Sequence, residues 1–142
     1  MALILSGALS RRTEDIDIVD EIPLEIRSEH ELLDHLAKRY GLRLAHFQSH
    51  YLPAGWASRL RLFETFGRLE VRLIDIYDII LSKIFSKREK DRDDLRALVT
   101  QIDKPLLARR MLDTTAALRQ EPMLRSMAEE NWYILYGEPL PT

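Results

Sequence analysis

Apolar and polar residues change their spacing twice along the chain. Ala2 to Leu9 is an apolar run broken by Ser6 and Gly7, and it reads as the end of a helix with neither an N-cap residue nor a first turn of acids. Arg11-Arg12-Thr13 stops it. Asp15-Ile16-Asp17-Ile18-Val19 then alternates with period two, which predicts a half-buried strand, and Pro23 closes that region. Ser28 with Glu31 three residues on makes a capping-box pattern. The helical stripe Leu32, Leu33, Leu36 and Tyr40 follows, with Gly41 as a natural stop.

Leu42 to Tyr51 and Leu60 to Phe66 have a strand-like composition, with Pro53-Ala54-Gly55-Trp56 as the turn between them. Gly67-Arg68 predicts a hairpin turn, because Leu69, Val71 and Leu73 alternate with Glu70 and Arg72. After Ile74 the period becomes helical. Asp75 is placed to cap a helix running through Ile79, Ile80 and Ile84 to about Phe85, and a second helix opens near Asp91 and runs through Leu95 and Leu98. Asp103 caps a third, with Pro105 in its first turn and Leu106, Leu107, Met111 and Leu118 along it. A fourth runs from Glu121 or Pro122 to about Tyr136, where Gly137 and Pro139 end it. Strands fill the first half and helices the second, so the expected class is α+β.

The chain has 142 residues, about one ordinary domain. No repeat, low-complexity tract or Pro/Gly/Ser-rich linker divides it. Hydrophobic residues make up 46% and charged residues 31%, which excludes a disordered or fibrous chain. Cysteine is absent, so disulfides, thiolate zinc sites and thiol nucleophiles are excluded. The net charge of −2 does not force binding to nucleic acid, although the stretch from Glu14 to Asp34 is strongly acidic. The first apolar run is far short of the ~20 residues a membrane span needs, and no basic residue precedes it as in a secretory signal. A cytoplasmic protein without membrane partners is expected.

Asp15 and Asp17 are the sharpest chemical feature. Residues i and i+2 of a strand share a face, and two carboxylates that close repel unless a cation sits between them. Such a pair suits Mg²⁺, which takes one or two carboxylates together with phosphate oxygens. Taken alone, two acids on a strand more often mark a solvated strand end. Glu70 lies on the polar face of the later strand, where a neighbouring antiparallel strand would bring it beside Asp15 and Asp17; its plain alternative is an exposed acid paired with a base. Lys83 ends an apolar helical stretch, so its stem can lie on apolar surface and present the ammonium. The charges from Lys87 to Asp93 read as a helix surface with ion pairs. His30, His35, His46 and His50 form no zinc pattern.

Together these segments resemble a known family. Leu9-Ser10-Arg11-Arg12-Thr13-Glu14-Asp15-Ile16-Asp17-Ile18 is similar to the R-x-T-x-D-[IVL]-D-[ILV] signature of the abortive-infection-type branch of the nucleotidyltransferases, which have the DNA-polymerase-beta-like fold. Leu73 to Ile84, followed by Lys90-Asp91-Arg92-Asp93-Asp94-Leu95, is similar to that branch's D-L-x-x-x-K-[LI] … [KR]-D-x-x-D-[LIV] segment. Leu52 to Trp56 with Arg59-Leu60 resembles a weaker element of the same proteins, and the likeness spans about residues 2–99. It implies a small mixed sheet flanked by helices over residues 1–99, with residues 100–142 as a helical extension packed on it. It also implies a site in which Asp15, Asp17 and Glu70 hold Mg²⁺ or Mn²⁺ and serve as the catalytic carboxylates for a nucleoside triphosphate. Lys83, Arg12 and Thr13 would bind the nucleotide, and Asp91 and Asp94 would hold the helix carrying Lys83. The acceptor would be an RNA end or a protein hydroxyl, in a toxin-antitoxin or phage-defence setting.

The sequence departs from that family at one place. Relatives carry a Gly-Gly or Gly-Ser pair on a strand-to-helix turn upstream, where open backbone N–H groups cradle the triphosphate. Here Met1-Ala2-Leu3 stands about where that pair should have ended, and Gly7 lies inside the helix-like run. The expectation is therefore a shortened chain with little transferase activity, whose open sheet edge favours a homo-oligomer. The competing reading is an inactive binding or structural module on the same fold. A helical DNA-binding protein is the weakest reading, because no helix shows a basic face with the required turn.

Overall fold

The computed structural model describes residues 15–18, 24–41, 43–46 and 51–142. The expected helix over Ala2–Leu9, Arg12, Thr13, Val19 and Pro23 lie outside the described residues. Those described before residue 50 belong to one compact unit, and Tyr51–Thr142 form a second.

In the first unit, strand β1 (Asp15–Ile18) pairs in parallel with β2 (Arg43–His46), setting Asp15 against Arg43 and Asp17 against Ala45. Between them come a single turn, α1 (Leu24–Arg27), and α2 (His30–Tyr40). The predicted capping box does not form. Glu29 takes the N-cap position of α2 without a side-chain cap, while Ser28 Oγ donates back to the Glu25 carbonyl at 3.1 Å. A serine hydroxyl offered a nearby carbonyl closes the preceding turn instead of capping the next. Gly41 ends α2 as expected, at φ 65° with its N–H on the Ala37 carbonyl.

The second unit opens with the turn after Leu52 and a 3₁₀ turn over Trp56–Arg59. A hairpin of β3 (Arg61–Phe66) and β4 (Leu69–Leu73) follows, reversed at Gly67 with φ 61°. The register runs from Arg61 opposite Leu73 to Phe66 opposite Leu69, with a bulge between Leu62 and Glu64 that the alternation did not reveal. The α+β class holds, and the strand pairing among the described residues is mixed: one parallel pair and one antiparallel pair.

Four longer helices build the core of this unit. They are α3 (Ile76–Ile84), α4 (Glu89–Leu98), α5 (Lys104–Thr114) and α7 (Pro122–Tyr136), with the short α6 (Ala116–Gln120) between the last two. Asp75 caps α3 by accepting from the Tyr77 N–H at 3.0 Å, and Asp103 caps α5 by accepting from the Leu106 N–H at 2.8 Å. The expected continuous helix from Asp103 through Leu118 is broken at Thr115. There the Thr114 and Thr115 hydroxyls donate to the Arg110 and Met111 carbonyls, and such back-bonding weakens a helix end. Leu118 therefore lies on α6. Leu81, Ile84, Leu107, Met111 and Trp132 are fully buried. Burying each aliphatic side chain contributes about 1.5–3 kcal/mol. α3 and α4 share this core with α5 and α7. Among the described residues, no helix is long and apolar enough to cross a membrane.

Candidate functional site

A strand alternates its residues between two faces, so Asp15 and Asp17 occupy like positions of β1, separated by Ile16. β1 forms a ladder with β2, and β4, which carries Glu70, forms a ladder with β3. Glu70 stands opposite Thr65, and its carboxylate is held by Arg72 two residues on, at 2.9 Å, with both side chains 55% exposed. Alternation accounts for that contact: Glu70 and Arg72 share the face away from Leu69 and Val71. Among the described residues, no group of three or more His, Asp or Glu side chains is gathered as a metal site.

The donor set nevertheless fits a hard divalent cation. Asp15 and Asp17 are carboxylates at alternate strand positions, and carboxylate oxygens are what Mg²⁺ takes.

Lys83 sits in a built polar cluster. Its ammonium bonds Asp91 Oδ1 at 2.5 Å and Asp94 Oδ2 at 2.9 Å, with 17% of its side chain exposed. Ser86 Oγ donates to the other Asp91 oxygen at 2.7 Å. The arrangement follows from the chain: α3 ends at Ile84, and α4 begins at Glu89 and points its first buried turns, Asp91 and Asp94, back at Lys83. Burial pushes the Asp91 carboxyl up, but the hydrogen bond and charge of Lys83, the Ser86 hydroxyl and Arg88 outweigh it. The group is held below its usual range. The charge run from Lys87 to Asp93 is therefore only partly a solvated surface, since Asp91 is drawn inside.

A second polar network had little sequence signal. Asp78 is wholly buried and accepts from Arg59 Nε at 2.8 Å and from Arg110 at 3.2 Å, and the same Arg110 nitrogen reaches Asp75 at 3.2 Å. Arg59 also donates to the Ala54 carbonyl at 2.8 Å, which ties the Pro53–Trp56 turn to α3. The spacing of Asp75 and Asp78, one helical turn apart, was the available hint. Nothing in the local sequence marks Arg110. Asn131 is a third such residue: its amide donates to the Ile84 and Ser86 carbonyls at 2.8 and 2.9 Å and accepts from Arg92 Nε at 2.9 Å. It satisfies carbonyls at the end of α3 that the helix itself leaves open.

A family model described as "Nucleotidyltransferase of unknown function (DUF6036)" matches residues 1–134. No curated protein and no solved structure matches the chain.

Proposed function

The chain belongs to that nucleotidyltransferase family, and we propose that it transfers a nucleotide from a nucleoside triphosphate to an RNA end or a protein hydroxyl, as part of a toxin-antitoxin or phage-defence module. The observation that carries this reading is Asp15-Ile16-Asp17 on strand β1, two carboxylates at like positions of a short strand in a chain of this family. In the proposed reaction the acceptor oxygen attacks the α-phosphorus, the bond to the pyrophosphate oxygen breaks, and the acceptor proton passes to solvent.

Asp15 and Asp17 would hold Mg²⁺ or Mn²⁺, with Glu70 as the third carboxylate once it leaves Arg72. The ion, when bound, neutralises phosphate charge and stabilises the entering and leaving oxygens. Lys83 uses two ammonium hydrogens on Asp91 and Asp94. An ammonium has three, and the remaining one is assigned to a phosphate oxygen. Arg12 and Thr13 are assigned to the nucleotide. Exposed Leu62, Phe63, Phe66 and Leu69 on the β3–β4 hairpin support association of the chain with a second copy.

The test is incorporation of label from each α-labelled nucleoside triphosphate into RNA and into protein, with Mg²⁺ present. Incorporation abolished by Asp17→Asn, in a variant that melts as the wild type does, supports transfer. Incorporation from none of the four triphosphates into either acceptor contradicts it and favours the inactive binding module.

A further inference from the structure

Beyond the proposed transfer site, α6, α7 and the segment after Gly137 surround an open cleft of about 710 Å³. That volume lies within the ~300–1,000 Å³ of small-molecule sites. Arg125, Glu129 and Tyr133 are spaced four apart on α7, so they form one stripe along its wall, and Arg119 of α6 also lines the cleft. Arg125 donates to Glu129 at 2.8 Å, which fixes both side chains.

Arg119 is the unusual member. Among the described residues no carboxylate pairs with it. Among those residues its one acceptor is the Leu112 carbonyl, at a long 3.3 Å from a terminal nitrogen, and its Nε, shut off from solvent, has none. A guanidinium is a planar fork of donors matched to two oxygens of one oxyanion, and among the described residues the two terminal nitrogens of Arg119 make only that one long bond. The Tyr133 ring is 63% exposed at the same cleft. Neither the packing of α7, which runs through Ala128, Asn131 and Trp132, nor the proposed transfer chemistry uses it.

We propose that this cleft binds a nucleoside monophosphate, with the phosphate on Arg119 and the base stacked on Tyr133. Arginine forks favour phosphate oxygens, and an exposed aromatic ring accepts the face of any base. The cleft is much larger than phosphate alone needs, which favours the phosphate ester over the free ion. Glu129, anchored by Arg125, supplies an acceptor for a ribose hydroxyl or an exocyclic amine.

The experiment titrates AMP, adenosine and inorganic phosphate into the full chain in EDTA, so that the proposed divalent-ion site stays silent. Calorimetry gives affinity and two-dimensional amide spectra give the place. AMP is expected to shift the amides of Tyr133 and Leu140 and to bind at least tenfold tighter than adenosine. Arg119→Met should weaken AMP at least tenfold, and Tyr133→Ala should weaken AMP while leaving the affinity for inorganic phosphate unchanged. Should Arg119→Met fold poorly, Arg119→Lys keeps the charge without the fork and should still weaken AMP several-fold. No AMP binding, equal affinity for AMP and adenosine, shifts located elsewhere, or AMP affinity unchanged by the Arg119 variants would each overturn the proposal.

Discussion

Arg59 Nε donates to Asp78 Oδ2 at 2.8 Å, joining a loop arginine to a carboxylate that solvent does not reach, nineteen residues away. Asp78 lies in the first turn of α3, a helix buried through Ile80, Leu81 and Ile84. A charge at such a place is tolerated because Arg59 and Arg110 meet its two oxygens from opposite sides of the chain order.

Removing one partner of a buried pair leaves the other uncompensated, at a cost of about 3–5 kcal/mol. Asp78→Ala is therefore expected to lower stability by about that amount, read as a shift of the urea midpoint at constant slope. Asp78→Asn, which keeps the shape and some hydrogen bonding, should lose less. Equal and small losses from both variants would show that the two arginines find other acceptors.

Lys83→Met carries a different expectation now that its partners are visible. A lysine that only presents its ammonium over apolar surface would be lost with little change in thermal stability. With Asp91 and Asp94 both closed on the ammonium, the substitution instead strands two buried carboxylates. A loss of about 3–5 kcal/mol is expected, together with weaker triphosphate binding if the third ammonium hydrogen serves a phosphate. Lys83→Met with wild-type melting would contradict the cluster.

The pH dependence follows from the same carboxylate. Asp91 is held below its ordinary value in the folded chain, so the folded state binds its proton less readily than the unfolded chain does. Its contribution is therefore fully present above the unfolded value of about 4 and is lost as pH falls through the lower folded value. Unfolding free energy measured from pH 6 downward should fall in that acid range. In Asp91→Asn, already less stable at neutral pH, this part of the acid loss should be missing. An unchanged acid limb in that variant would assign the loss to other groups.

The sequence made the elements legible wherever a local rule had no competitor. Asp75 and Asp103 cap as their positions predict, and Gly41, Gly67 and Gly137 stand at the turns where positive φ is required. Local reading failed where two local bonds compete. Ser28 bonds backward to Glu25 instead of capping α2, and the Thr114 and Thr115 hydroxyls cut one predicted helix into α5 and α6. At the candidate site, spacing alone put Asp15 and Asp17 at like positions of one strand. The Lys83 cluster was half legible, because the resemblance named its members but not their closure. Asp78, Arg110 and Asn131 are hidden, since their partners lie 19 to 47 residues away and no periodicity encodes such distances.

The most direct test of the central claim is a calorimetric titration with Mn²⁺ and a nonhydrolysable nucleoside triphosphate, comparing wild type with the Asp15→Asn/Asp17→Asn double variant. Two carboxylates that hold the ion should give a saturable heat in the wild type. In the double variant, folded to the same melting temperature, the affinity should fall at least tenfold. Equal heats from the two proteins would contradict the assignment of Asp15 and Asp17 as metal carboxylates.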